Sequence, residues 1–568
     1  MSRVIRVNVS NKQIHQEQLK EEYLFFGGRG LIAKFMHDEV DPSCDPLGAD
    51  NKLILCTGLL AGSNIPTAHR LSVGGKSPLT GGIKEANAGG TAAYAMARHN
   101  IKAIILENLP AENDPWLILR IKADGEPELI AADQYIGLNN YALVEKLQEQ
   151  FGNKISAVSI GRAGEWLYKN SSLQVTDFSG GYPTRSAARG GLGAVMGAKK
   201  IKAIIIEESS SPYSFPYRDK ELVQATRKKL IENTLNNPAR QWVMKIGTPA
   251  LVDRMGATGF MPVRNFSGEI FERLEKISTQ VYLKRLEVGG GKHGLPCQPG
   301  CILRCAGRIN DSEGNIITSG LEYETIALCG ANCDIADMET IIQIDRLCDD
   351  LGVDTIETGV TIGVCMEAGK IPWGDSKAAL GLIHEMMEGT EFGRLLGQGA
   401  AVVGAALGVK RIPTVKGQAM SGYDSRNIKG VGVTYATSPM GADHTAGLTM
   451  MYGLDPLQKE GQVDASIKAQ ISSACQDNFV CMFGWGDFTQ PDILPNFMKG
   501  MYGGDWDMDK IMEIGENTLK LEVAFNKAAG FTEADNKLPD FFKTIPSPAT
   551  GSVFDIDEQD LATALEFL

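Results

Sequence analysis

The chain has 568 residues, 43% hydrophobic and 22% charged, which is room for about two to four domains with sizeable cores. Its 69 acidic and 56 basic residues leave a net charge of -13, and that disfavours nucleic-acid binding, which needs a basic footprint. An anionic cofactor is still compatible with this balance, because a few arginines and backbone amides suffice to hold phosphates.

The N-terminus, MSRVIRVNVSNKQIHQ, lacks the apolar core and small-residue cleavage site of a secretory signal. No apolar run approaches the roughly 20 residues needed to span a bilayer; the longest, 400–409, is interrupted by glycine and reads as a packed helix. A soluble cytoplasmic protein with no membrane span is expected. Residues 52–56, 101–107, 154–160 and 201–207 are short apolar, β-branched runs bounded by turn residues and predict strands. Two of them are near copies, IKAIILEN at 101 and IKAIIIEE at 201. Each follows a small-residue segment, so two related β units are expected to form one base. Residues 209–217 are rich in Ser, Pro and Tyr and read as a linker. Helical periodicity then dominates: 219–236, 336–351, 360–368, 377–388 and 391–408. The Pro/Gly-rich 411–433 crosses between domains, and 458–483 and 509–529 are helical again. The tail, 541–568, carries Pro546 and Pro548 before a short acidic helix.

There are eleven cysteines, an odd number without framework spacing, which points to buried thiols, metal ligands or catalysts rather than disulfides. Cys297, Cys301 and Cys305 lie in PCQPGCILRC, and Cys481 lies far downstream in FVCMFGW. Three clustered cysteines and one distant one is a frequent way to hold a 4Fe–4S cluster. Structural zinc usually shows two paired knuckles instead; zinc and unligated thiols stay open as alternatives on spacing alone. Cys329, Cys333 and Cys475 read as buried small residues, and Cys44, Cys56, Cys348 and Cys365 as core.

Several long motifs then occur in order. GGRG at 27–30, HRLSVGGKSPLTGGIKEANAGG at 69–90 and TRSAARGGLGAVMGAKKIKAI at 184–204 resemble the pterin-binding N-terminal domain of the aldehyde:ferredoxin oxidoreductase family. LEYETIALCGANCDI from Leu321, LCDDLGVDTIETG from Leu347 and YATSPMGADH ending at His444 resemble its later domains. The resemblance implies an α+β fold: a β-rich pterin-binding base (1–207), then two mainly α-helical domains (208–412 and 413–568). It implies tungsten, or molybdenum, held by two pyranopterin dithiolenes, a magnesium ion bridging the pterin phosphates, and a 4Fe–4S cluster on Cys297, Cys301, Cys305 and Cys481. The family usually has two residues between its first two cysteines; here there are three.

Glycine-rich loops let backbone approach phosphate, and cations complete the site. On that ground Arg70, Asn87, Gly89, Arg189 and Gly190 are assigned to the cofactor, with Asn87 offering a carbonyl to magnesium. Carboxylates accept paired N–H bonds from a pterin ring. Asp349, Gly352 and Asp354 match the family's D-x-x-G-x-D motif. Its second copy reads QDNFVC, with Gln476 in the Asp position and Phe479 in the Gly position, so Asp477 is the candidate after a one-residue shift; its alternative is a helix N-cap. Glu324 in EYET and His444 in GADH match the family's active-site glutamate and histidine, with Tyr323 and Asp443 as neighbours. Some relatives form a dimer around iron held by E-x-x-H; here the stretch is Gln343-Ile344-Asp345-Arg346, and no such iron is expected.

The activity implied is oxidation of a small-molecule aldehyde, with electrons leaving to ferredoxin or an iron–sulfur partner subunit. A homodimer or hetero-oligomer is open. One rival is a reductive relative acting on an aromatic thioester; another is a non-catalytic electron-relay subunit, which would hold iron but neither tungsten nor molybdenum.

Overall fold

The computed structural model describes residues 2–211 and 215–567; part of the expected linker, 212–214, and the last residue of the tail lie outside the described residues. The first part contains twelve strands: β1 Arg3–Asn8, β2 Gln13–Gln18, β3 Leu53–Thr57, β4 Leu71–Lys76, β5 Ile83–Ala88, β6 Ile101–Glu107, β7 Leu117–Ile121, β8 Pro127–Ala131, β9 Ile155–Ser159, β10 Leu173–Val175, β11 Arg185–Ala187 and β12 Ile201–Glu207. They form two sheets, ordered β2-β1-β6-β3-β4-β5 and β8-β7-β12-β9-β10-β11. Adding six to each number of the first order gives the second. In both, the pair made by the first and last strands of the unit (β1 with β6, β7 with β12) is parallel and the other neighbours are antiparallel. The repeat seen between residues 101 and 201 is therefore the visible part of a duplicated unit.

The duplication extends to backbone detail. Helices Ala92–Arg98 and Leu192–Ala198 precede β6 and β12 at the same spacing. Each is entered through a glycine with positive φ, Gly90 at 94° and Gly190 at 89°, and left through a left-handed residue, Asn100 or Lys200. The strands between are buried on both faces, which suits their β-branched composition. Ile104 and Leu106 of β6 face Leu119, Val158 and Ile204 of the second sheet in one shared core. Ala103 and Ile105 face the other way, onto Leu31 and Phe35 of helix Gly28–Glu39. Ala203 and Ile205 likewise face Leu143 and Leu147 of helix Asn140–Phe151. The base is two sheets back to back with a helix on each outer face.

After residue 219 helices dominate, giving the α+β class expected. Thr355–Glu367 is buried nearly throughout and runs through the middle of its lobe. Two expected long helices are broken. The segment 391–408 is two helices, Glu391–Leu396 and Ala400–Leu407, broken at Gly399, which sits at φ 90°; two residues before it, Gly397 leaves room for the Tyr168 ring, 2.4 Å from its Cβ position. The segment 458–483 is helix Gln462–Gln476, a turn, and helix Met482–Phe488. That turn, 477–481, carries Asp477 and Cys481. Asp477 stands at a helix C-cap, not the N-cap weighed for it. Helix Met338–Leu351 begins two residues later than expected, at the Asp337 cap. Among the described residues no helix is long and apolar enough to cross a membrane.

Candidate active site

The edge strands β5 and β11 are equivalents in the two repeats, and they meet. Polar side chains from both converge on this seam, under the helical lobes. A Cβ at Gly190 would lie 2.4 Å from Cγ of Lys84, so glycine there lets the second repeat close on the first.

On one side of the seam lie the cysteines. Gly90 N–H donates to the Cys297 carbonyl at 2.9 Å, and Cys481 N–H donates to Thr67 at 3.0 Å, which ties both cysteine segments to the β4–β5 region. Gly89 has Arg70 Nη1 and Cys297 Sγ each 3.3 Å from its Cβ position, a close approach that a side chain would crowd. The half-buried Arg70 guanidinium feels Cys481, Cys297, Asp477 and Cys305. The Cys297 thiol is pulled down to about 6 by a hydrogen bond with Cys301 and by Arg70 and Arg185. The Cys301 thiol is pushed up by that same hydrogen bond, and Cys305 by burial. Among the described residues no group of three or more His, Cys, Asp or Glu side chains is drawn in around a single ion. A cluster of iron and sulfide is wider than one ion, so its four thiolates stand farther apart than zinc ligands do.

Next to the cysteines, Arg70 donates from Nε to Asn87 Oδ1 at 2.5 Å and from Nη2 to the Asn87 carbonyl at 3.1 Å. The oxygen expected to face magnesium is thus turned to Arg70. Asp477 lies 3.5 Å from Arg29 Nη1. Burial lifts the Asp477 carboxyl to about 6 against the pull of Arg29 and Arg70, and burial beside Asp477 lifts Glu85 to about 8. Arg29, the arginine of GGRG, is fully buried and holds Glu522 with two bonds, at 2.8 and 2.7 Å.

Across the seam, Lys84 Nζ donates to Asp443 Oδ2 at 2.6 Å. Arg189 reaches Asp354 Oδ2 at 3.2 Å and the Ala442 carbonyl at 2.6 Å. Burial alone would raise the Asp443 carboxyl, but Lys84, Arg189 and His444 outweigh it and hold it far below the usual carboxylate range. Asp354 also caps helix Thr355–Glu367 by accepting from Ile356 N–H. Both its oxygens therefore have protein partners. Asp349, at the other end of the D-x-x-G-x-D motif, is pushed up by burial and by Asp345 and drawn down by Arg185. Gly352 between them terminates helix Met338–Leu351 at φ 82°, and its Cβ position lies 3.0 Å from Asn140 Nδ2. Gly352→Ala is expected to cost about 1–2 kcal/mol in denaturant unfolding without loss of helix signal, since a left-handed site penalises any Cβ.

Glu324, in helix Tyr323–Cys329, and His444, in the 443–446 turn, meet, Oε1 to Nε2 at 3.6 Å. Glu324 Oε2 accepts from Gly422 N–H at 2.6 Å. Burial raises its carboxyl above the ordinary value, and His444 and the Gly422 amide oppose that. His444 follows Asp443, whose Oδ1 caps the next turn by accepting from Thr445 N–H at 3.0 Å. The Tyr423 ring lies 5.9 Å from the His444 ring. Tyr323 stacks obliquely on Tyr423 at 5.3 Å and donates to the Gly422 carbonyl.

Sequence reasoning missed Lys84, Arg29, Arg185 and Tyr423. Three of these stood inside quoted motifs; Tyr423, in the crossing segment 411–433, had no signal at all. The buried polar atoms without a hydrogen-bond partner among the described residues include Arg29 Nη1, Arg185 Nε, Glu324 Oε1, His444 Nδ1, Ser171 Oγ and both amide atoms of Asn170. Such atoms are costly unless something else meets them. Cations at Arg29 and Arg185, acceptors at Glu324 and Asn170, and thiols beside Arg70 form the donor set that a large anionic, amide-bearing metal cofactor needs, so the residues present fit one.

Comparison with known proteins places the architecture. Residues 4–208 match a family profile described as "Aldehyde ferredoxin oxidoreductase, N-terminal domain", and residues 225–566 match "Aldehyde ferredoxin oxidoreductase, domains 2 & 3". These profiles define an oxidoreductase. The chain belongs to the aldehyde ferredoxin oxidoreductase family. It is 31% identical to a tungsten-containing aldehyde ferredoxin oxidoreductase of Pyrococcus furiosus and 32% identical to one of Thermococcus kodakarensis, each over 96% of this chain and 92% of the relative. A solved structure described as the active site complex BamBC of benzoyl coenzyme A reductase in complex with 1,5 dienoyl-CoA superposes with a TM-score of 0.82, covering 99% of this chain and 93% of that one. At 17% identity that likeness speaks for the fold.

Proposed function

We propose that the chain oxidises aldehydes to carboxylic acids at a tungsten, or molybdenum, bis-pyranopterin centre and sends the electrons through a 4Fe–4S cluster to ferredoxin or an iron–sulfur partner subunit. The observation that carries this reading is the pairing of Glu324 with His444 at 3.6 Å, walled by Tyr323 and Tyr423, beside a seam of buried cations. The relatives named as tungsten-containing aldehyde ferredoxin oxidoreductases support it.

In this reading Arg70, Asn87, Gly89, Arg189 and Gly190 receive the phosphate side of the pterins, with magnesium between the phosphates. Asp349 and Asp477 receive the ring donors. Asp354, capping a helix and paired with Arg189, acts by fixing that arginine, and Gly352 sets the turn between them. Cys297, Cys301, Cys305 and Cys481 hold the cluster. When bound, the pterin–metal group supplies a two-electron acceptor and a route for oxygen into the product. The chain supplies proton handling and dryness. Glu324 takes a proton near the reacting carbon, for which a raised carboxyl is suited. His444 donates a hydrogen bond that orients the substrate oxygen. The Tyr423 ring walls the pair from the His444 side, and Lys84 keeps Asp443 anionic so that the 443–446 turn keeps its place. We divide the chain into domains at 1–207, 208–412 and 413–568. Its eleven thiols, all free, suit a reducing cytoplasm.

Element analysis of natively produced protein tests the cofactor: tungsten or molybdenum together with iron is expected. Iron without either heavy element would overturn the reading and leave an electron-relay subunit. Dye reduction dependent on added aldehyde tests the reaction, and dye reduction absent from fully loaded protein would favour reductive chemistry.

A further inference from the structure

The segment that leads into β10 lies across the D-x-x-G-x-D stretch. Ser171 faces Val353 in an antiparallel bridge, Asp354 N–H donates to the Asn170 carbonyl at 3.0 Å, and Ser172 N–H donates to the Gly352 carbonyl at 2.8 Å. Asn170 therefore stands opposite Asp354, and opposite residues carry their side chains side by side. Alternation puts Asn170, Ser172 and Gln174 on one face, with Leu173 and Val175 in the core on the other. All three polar residues are buried. Two of them are answered: Gln174 donates to Ser172 Oγ at 2.9 Å and accepts from Ser186 Oγ at 2.5 Å, and Ser186 Oγ also lies 3.4 Å from Asp349 Oδ1. The polar row thus runs from Asp354 to Asp349. Asn170 is the member left over: neither its Oδ1 nor its Nδ2 has a hydrogen-bond partner among the described residues.

The duplication shows that the strand does not need this amide. Ala103 and Ala203 are equivalent in the two central strands; they pair with Cys56 and Ser159, which pair in turn with Ser72 and Gln174. Four residues before those, the first repeat has Ala68 where the second has Asn170, and both are buried. The fold is built with alanine at this point in one copy and with an unpartnered amide in the other. Such an amide is costly in the interior unless a ligand meets it.

We infer that Asn170 reads the ring edge of the pterin whose donors Asp349 receives. The inference deepens the proposed bis-pyranopterin reading and rests on it. An ionised carboxylate only accepts hydrogen bonds, whereas an amide accepts at Oδ1 and donates at Nδ2. A pterin ring carries an amine beside a carbonyl, so a carboxylate answers the amine and leaves the carbonyl without a donor. Asn170 supplies that donor from the same buried face, and its oxygen is a second acceptor. The match belongs to one repeat only. The ring on the Asp477 side has alanine at the corresponding place, so the two rings are held unequally.

The test compares wild type, Asn170→Leu and Asn170→Ala, each produced natively with its cofactors. Loss of pterin in partly denaturing buffer is followed by the fluorescence of the oxidised pterin, and iron content checks that the rest of the fold is in place. Each full chain is also made in a host unable to synthesise pterin, and its denaturant midpoint is measured. Pterin loss at least about tenfold faster in both variants, with iron at the wild-type level, is expected, since two hydrogen bonds to a buried ring are removed. In the pterin-free chains the midpoint of Asn170→Leu should be unchanged or higher, because an apolar group of similar size replaces an unpartnered amide. A residue that only supports the fold moves both readouts down together. That result in both variants, or pterin loss within about twofold of wild type, would overturn the inference and leave the cofactor reading intact. Wild-type protein with iron but no pterin would instead overturn the cofactor reading, and the inference with it.

Discussion

Glu324→Gln lowers turnover by about 10²-fold or more while the metal content of the purified enzyme stays at the wild-type level, if the carboxylate is the base that takes the substrate proton. The substitution is close to isosteric, and its amide oxygen can still accept from Gly422 N–H, so the Tyr323–Cys329 helix and the 421–423 turn keep their contact. What is lost is the ability to take a proton. Burial raises this carboxyl, and the base works only when ionised, so the wild-type rate climbs as pH rises through a pKa above the ordinary 4.5. The variant loses that limb. Glu324→Asp keeps the charge but withdraws it from His444, and a partial loss with the limb preserved is expected. A Glu324→Gln enzyme with turnover within about threefold of wild type would remove Glu324 from the chemistry.

Arg29→Met is expected to cost about 3–5 kcal/mol of stability, because it leaves a buried carboxylate without its cation. Arg29 is fully buried, clamps Glu522 of helix Met508–Ala528 with two bonds, and lies beside Asp477. It thereby joins the base to the C-terminal lobe where the turn 477–481 passes. Denaturant unfolding of the single variants and of Arg29→Met/Glu522→Met measures the coupling; the double variant should recover much of the loss. The sign with pH is also determined. Burial lifts the folded Asp477 carboxyl to about 6, against 3.8 for the free side chain, so between those values the folded chain holds a proton that the unfolded chain has lost. Stability falls as pH rises wherever the folded state binds more protons. Without Arg29 the ionised form of Asp477 has lost its nearest cation, so the deficit is larger at about pH 8 than at about pH 5. A deficit independent of pH, or a loss under about 1 kcal/mol, would show that the lobes are held elsewhere.

The repeat in the base shows how sequence and fold relate here. Only the segments ending at 107 and 207 kept recognisable letters. They are the central strands, buried on both faces, where few residue types are tolerated. Their partners diverged because edge strands and outer helices meet different neighbours in the two copies. The broken helices were illegible for a related reason. At 391–408 the break falls at Gly399, held at φ 90°, and the Tyr168 ring fills the space a side chain at Gly397 would take, so the packing that fixes the break comes from the base. The 477–481 turn is set by Asn478 and Phe479, whose carbonyls pack against Gly27 and Gly58 of the base.

By itself the sequence determined the family, through long motifs met in order, and with it the α+β class; of the strands in the base it made legible the apolar, β-branched runs at 52–56, 101–107, 154–160 and 201–207. Tertiary structure alone decided what the site residues face. Asn87 is turned to Arg70, Asp354 is shared between a helix end and Arg189, Lys84 and Asp443 pair across 359 positions, and the Tyr423 ring packs beside His444. The physical reason is that buried charge has to be answered at close range, and the partners that answer it come together only once the two repeats and the two lobes have closed on one seam.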